Sequence, residues 1–205
     1  MDYKTKKLTA TGMFCALAYL AVVTMRIPLI LFLKYEPKDV VITIGGLIFG
    51  PLTSFWISLI VSFVQMLTIS ENGILGLLMN VISSCSFACT AASIYNKRCH
   101  APQAAYCKKK RTRPGMVAGL LSGWACMIVV MLLWNYLITP LYMGTTREDV
   151  ARLLLPAFLP FNFSKGGLNA AITMFLYKPV VTALRRARMV PEKRSAPLGR
   201  SPRDC

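Results

Sequence analysis

The sequence is poor in acid, nearly without histidine, and over long stretches has no charge at all. Its 205 residues hold eight Asp and Glu and one His against 24 Lys and Arg, a formal net charge of +16. No charged residue occurs from Ile42 to Ile69, from Asn72 to Asn96, or from Val117 to Thr146. Soluble domains break up their apolar content with charge every few residues. Each uncharged stretch here exceeds the ~20 residues that carry a helix across a hydrocarbon core. With 55% hydrophobic residues, the composition excludes an ordinary soluble domain and predicts an integral membrane protein.

Chemistry-bearing motifs are missing as well. There is no G-x-x-x-x-G-K-[ST] phosphate loop; Phe163-Ser164-Lys165-Gly166-Gly167 lacks the leading glycine and the spacing. No H-E-x-x-H or G-x-S-x-G is present, and the single histidine, His100, falls in a basic loop. These absences argue against an enzyme. The seven cysteines form no C-x-x-C pair, and their odd count argues against a zinc site or a disulfide framework. No metal and no cofactor are expected.

The basic residues are segregated. Lys4, Lys6 and Lys7 form one group, and Lys97, Arg98, Lys108, Lys109, Lys110, Arg111 and Arg113 a second. Lys178, Arg185, Arg186, Arg188, Lys193, Arg194, Arg200 and Arg203 form a third. Clusters that flank apolar spans are the positive-inside pattern, whereas nucleic-acid binding would need a folded basic surface.

Six spans are predicted: about 8–25, 40–50, 52–69, 74–95, 115–138 and 155–184. The first has a basic start and an Ala16-Leu17-Ala18 triplet, like a signal peptide. Its apolar stretch continues past that triplet, so it reads as a transmembrane helix. The second is short, and Gly45-Gly46 weakens it. Pro156, Pro160 and Gly166-Gly167 predict an irregular entry to the sixth, of the kind tolerated where backbone lines a cavity. The expected fold class is thus an all-α integral membrane protein with both termini cytoplasmic. Residues 1–190 form the transmembrane domain, and 191–205 a basic, disordered tail.

Within this apolar background a few polar residues stand out. Asn135, Asn162 and Lys165 lie in or at the ends of spans, where a lone amide or ammonium is costly unless it faces a protein interior or a ligand. The topology brings all three toward the outer face, beside Trp134, Tyr136, Tyr142, Phe161 and Phe163. Amides and an ammonium among aromatic walls suit a neutral or zwitterionic small molecule. For Asn135 an interhelical hydrogen bond explains the residue equally well. Gly12 and Ala16 give the first span a small-xxx-small face, read either as a docking face or as internal packing.

Four segments carry a family resemblance: F-L-K-Y-E-P-K-D-V-V, G-G-L-I-F-G-P, L-L-W-N-Y-L-I-T-P-L-Y and L-P-F-N-F-S-K-G-G-L-N. On these the chain resembles the riboflavin-specific S components of energy-coupling-factor (ECF) vitamin transporters over most of residues 8–185. The resemblance implies an outward-facing vitamin pocket in a bacterial cell membrane and no ATPase of its own. It implies partnership with a membrane coupling protein and two cytosolic ATPase subunits. Asn135, Asn162 and Lys165 would bond the flavin ring and ribityl chain, the loop from Lys34 to Asp39, with Lys34, Tyr35 and Glu36, would cap the pocket, and Asn80 would face the cavity. Gly12 and Ala16 would stand where the family has an A-x-x-x-A docking motif, and Ser62-Phe63 replaces an expected Lys-Asn. Alternatives are an S component for FMN or another vitamin. A stand-alone secondary transporter would show internal repeats and a mid-membrane carboxylate, neither of which the sequence displays. A structural membrane protein would leave the polar cluster unexplained.

Overall fold

In a computed structural model of the protein, the residues described are 3–25, 27–30, 33–69, 73–100, 112–144 and 146–187. The predicted tail from 191 onward and most of the basic loop before Pro114 lie outside them. The chain runs α1 (Tyr3–Thr24), β1 (Ile27–Ile30), β2 (Leu33–Tyr35), α2 (Lys38–Phe49), α3 (Pro51–Thr68), α4 (Gly73–His100), α5 (Thr112–Met143), α6 (Arg147–Leu153), a π-helical turn (Leu154–Phe158) and α7 (Leu159–Arg186).

The bundle is inside-out relative to a soluble protein, and α3 shows why. Ser54, Ser58, Ser62 and Gln65 recur at helical spacing and are buried. Phe55, Trp56, Ile60, Phe63 and Leu67 fill the opposite, exposed face. Hydrocarbon solvates apolar side chains as well as a protein core does, so the polar groups are the ones driven inward. In α1 the buried face is Ala10, Phe14, Ala18 and Val22.

Helices α4 and α5 approach closely because α5 offers no side chain at two turns. A Cβ on Gly119 would stand 2.7 Å from the Ala91 carbonyl oxygen, and one on Gly123 2.5 Å from that of Phe87. One buried apolar cluster, with Phe14, Ile42 and Ile57, joins α1, α2 and α3. Another, with Leu47, Phe87, Leu120 and Met127, joins α2, α4 and α5.

Several expectations need correction. The body is helical, but the first connection is not a plain loop. Ile27 pairs with Tyr35 and Pro28 with Lys34 in a short antiparallel hairpin. Helix α2 begins at Lys38 rather than Val40 and has 12 residues. At 1.5 Å per residue that is about 18 Å, short of the ~30 Å hydrocarbon core. Five helical runs among the described residues are long and apolar enough to cross a membrane, and α2 is not one of them. Gly50, at φ 104°, makes the turn from α2 into α3, a backbone region where other residues are strained.

Pro140 does not end α5, which continues to Met143. The expected loop before the last span contains α6, whose Thr146 side chain accepts from the Asp149 backbone N–H. This is an N-cap of the usual kind. The irregular entry to the last span is confined to the π-helical turn, and α7 runs unbroken through Pro160, Gly166 and Gly167. A proline in the first helical turn removes no hydrogen bond.

Candidate functional site

The site is built around the first turn of α2. Lys38 and Asp39 are adjacent and fully buried. Neighbouring helix positions point about 100° apart, so the two side chains enter different surroundings. Burying a single ion of either sign is prohibitive, and each here has found an opposite charge with further hydrogen bonds.

Asp39 ties three helices together. Its Oδ2 lies 3.0 Å from Lys165 Nζ on α7 and accepts from Asn169 Nδ2 at 3.3 Å. Its Oδ1 accepts from Ser84 Oγ on α4 at 2.5 Å. Lys165 Nζ also donates to Ser83 Oγ at 3.1 Å. Tyr35, on the hairpin, donates from Oη to Asn169 Oδ1 at 2.8 Å. The hairpin is thereby fastened to α7, 134 positions along the chain.

Lys38 turns to the other side. Its Nζ lies 2.8 Å from Glu36 Oε2 and donates to Gln65 Oε1 at 2.5 Å. Gln65 Nε2 donates back to Glu36 Oε1 at 2.7 Å. Burial by itself raises the Glu36 carboxyl, but the adjacent Lys38 ammonium and its hydrogen bonds prevail and hold it below the ordinary glutamate range. Burial, with Asp39 nearby, raises the Tyr35 hydroxyl, which stays a neutral donor.

On α7, Asn162, Lys165, Asn169 and Thr173 share one buried face. Asn162 donates from Nδ2 to the Phe158 carbonyl at 2.8 Å. Its Oδ1 is buried and has no partner among the described residues. Gly166, on the same face, seats the Trp124 indole of α5: a Cβ there would stand 2.1 Å from Trp124 Cδ1. Phe163 meets the same indole at a ring-centroid distance of 4.7 Å.

The structure therefore brings together Lys165, Asn162, Tyr35 and Glu36 of the predicted set. Lys34 lies on β2 opposite Pro28. Asn80 is half-buried on α4, one turn before Ser83 and Ser84. Asn135 is buried on α5 and accepts from Thr139 Oγ1 of its own helix at 3.2 Å. Gly12 and Ala16 are exposed on the outward side of α1, and a Cβ on Gly12 would meet nothing within 4 Å, so packing inside this chain does not account for Gly12.

Gln65, Ser83, Ser84, Asn169 and Trp124 are not among the site residues expected from the sequence, and Lys38 and Asp39 are expected only as the end of the capping loop. The expected polar set is amides and one lysine, with Lys38 and Asp39 in the capping loop rather than in a buried helix turn. The buried network in fact contains two carboxylates, Glu36 and Asp39, each compensated by an ammonium. Two signals were available. Gln65 is the only amide in the uncharged span 52–69, and Asn169 follows Lys165 by four positions, one helical turn.

The family model described as ECF transporter, substrate-specific component matches residues 6–177. A Bacillus subtilis (strain 168) protein named riboflavin transporter FmnP is 26% identical over 200 residues, covering 91% of this chain and 99% of that one. A structure solved as the S component of a bacterial ECF transporter superposes with a TM-score of 0.70 at 24% identity, over 89% of this chain and 99% of that chain. The structure of ThiT from Listeria monocytogenes superposes at 0.52 with 11% identity, over 93% and 100%. At these identities the two structural likenesses establish the shared fold alone.

Proposed function

This chain belongs to the substrate-specific components of ECF transporters, and on that premise we propose that it captures riboflavin outside the cell and releases it inside. In this reading both termini are cytoplasmic, and a membrane coupling protein with two ATPase subunits supplies the work. Vitamin binding shifts the conformational population of the outer hairpin and the segment to Asp39. The chain itself performs no chemistry on its cargo. Gly12 and Ala16, on the outward face of α1, are the docking candidates for the coupling protein.

The observation that carries the riboflavin assignment is the buried α7 face of Asn162, Lys165 and Asn169, on which Tyr35 of the hairpin and Asp39 close, in a chain 26% identical to a protein named as a riboflavin transporter. The charge balance favours the unphosphorylated vitamin over FMN. Lys38 and Lys165 are already matched by Glu36 and Asp39. A phosphate dianion near this network would find no uncompensated cation among those four groups, and desolvating it there is costly.

The test is direct. Protein purified in detergent is examined by visible absorption, then titrated with riboflavin and with FMN by fluorescence quenching. Yellow protein or tight quenching, weaker by about tenfold or more in Asn162→Ala and Lys165→Ala, supports the assignment. Colourless protein that leaves riboflavin fluorescence untouched overturns it. Equal affinity for FMN would overturn the preference for the neutral form.

A further inference from the structure

Two buried polar atoms with fixed directions have no hydrogen-bond partner among the described residues: Trp124 Nε1 and Asn162 Oδ1. One is a donor only, the other an acceptor. Neither can turn away. The indole is wedged against Gly166 and Gly167, with Phe163 on it, and the Asn162 amide is oriented by its bond to the Phe158 carbonyl.

The two atoms belong to one locality. Trp124 Nε1 stands 2.6 Å from where a Gly166 Cβ would be. Gly166 is one helical turn beyond Asn162 and next to Lys165. Lys165 Nζ has three protons; Asp39 and Ser83 take two, which leaves one N–H without a described partner. The three side chains together hold an unused donor, an unused acceptor and a second unused donor.

We infer that Trp124 is a further recognition residue, and that with Asn162 and Lys165 it reads the C=O, N–H, C=O edge of a cyclic imide. This rests on the riboflavin reading, because the pyrimidine ring of a flavin carries that edge. The ring N3–H donates to Asn162 Oδ1. The two flanking carbonyls accept from Trp124 Nε1 and from Lys165 Nζ. Such a ligand satisfies the Trp124 and Asn162 groups without displacing any hydrogen bond the protein already makes. A purely apolar filler against Gly166 would not require an indole N–H, since a phenyl ring carries no donor to bury.

The experiment uses the full chain in detergent, as wild type and Trp124→Phe, titrated with riboflavin and with 3-methylriboflavin. Phe keeps an aromatic ring at this position, removes the N–H and gives up part of the indole's contact with Gly166 and Gly167. The expected result is riboflavin affinity lower by about tenfold or more in Trp124→Phe, with the unliganded variant still melting cooperatively as a folded protein. Wild type is also expected to bind 3-methylriboflavin about tenfold or more weakly than riboflavin, because the methyl group blocks the donor to Asn162. Equal riboflavin affinity in the two proteins overturns the role of Trp124 and leaves the riboflavin assignment intact. Equal affinity of wild type for the two flavins overturns the imide reading even if Trp124→Phe fails to fold. A wild type that binds no flavin overturns both.

Discussion

Lys165 on α7 and Asp39 on α2 form an ion pair at 3.0 Å, with the carboxylate fully enclosed. It joins a lysine that stands out in an apolar span to a residue expected at the end of the capping loop. Removing either partner strands the other charge, at a cost of about 3–5 kcal/mol. Asp39→Asn and Lys165→Met should each lower the detergent melting temperature sharply. The double variant should lose less than the two losses combined. Strictly additive losses would show that the pair is not coupled.

Gly166→Ala and Gly123→Ala should behave differently although both crowd a helix contact. At Gly166 the new Cβ would stand 2.1 Å from the Trp124 ring, beside Asn162 and Lys165. Stability and riboflavin affinity should fall together, the former by about 1–3 kcal/mol. At Gly123 it would stand 2.5 Å from the Phe87 carbonyl oxygen in the α4–α5 contact. Stability should drop by a similar amount while riboflavin affinity stays within roughly twofold. Thermal melts paired with fluorescence titrations separate the two cases. A large affinity loss in Gly123→Ala would contradict this division.

Tyr35→Phe removes the hydroxyl that bonds Asn169 at 2.8 Å and leaves that buried amide oxygen without its hairpin donor. The expected loss is about 1–3 kcal/mol. Because the bond fastens the hairpin to α7, the hairpin should also exchange amide hydrogens faster. Unchanged exchange there would mean that Tyr35 is not what holds it.

The depressed Glu36 carboxyl sets an acid limit. Its folded pKa lies below the unfolded value, so its contribution is complete above the ordinary glutamate value of about 4.3. That contribution is lost as pH falls through the folded pKa. Melting temperature should therefore hold from neutrality to about pH 5 and decline below it. Glu36→Gln should start lower and show a shallower acid decline. A variant whose acid decline parallels wild type would remove Glu36 as the cause.

Much of the architecture could be read from the sequence because hydrocarbon imposes a simple rule. Long apolar runs in hydrocarbon must satisfy their backbone internally, so α1, α3, α4, α5 and the run ending in α7 appear close to where the residues place them. The capped helix α6 was missed because Thr146 and Asp149, three apart, resemble a polar loop until the backbone N–H bond is seen. The hairpin was missed because Ile27–Tyr35 is too short for an alternating pattern to stand out.

The site divides along the same line. Asn162 and Lys165 announce themselves because an amide and an ammonium in an apolar span need an explanation within a few residues of sequence. The membrane character, the helical body and these two polar positions are legible residue by residue, because all follow from what hydrocarbon tolerates along one segment. Packing between helices set the rest: Lys165 is matched by Asp39, Lys38 is held by Glu36 and Gln65, and Gly166 leaves the space that the Trp124 indole fills. These are contacts between helices far apart in the chain. Whether a charge is buried, and what compensates it, depends on which helices pack against it.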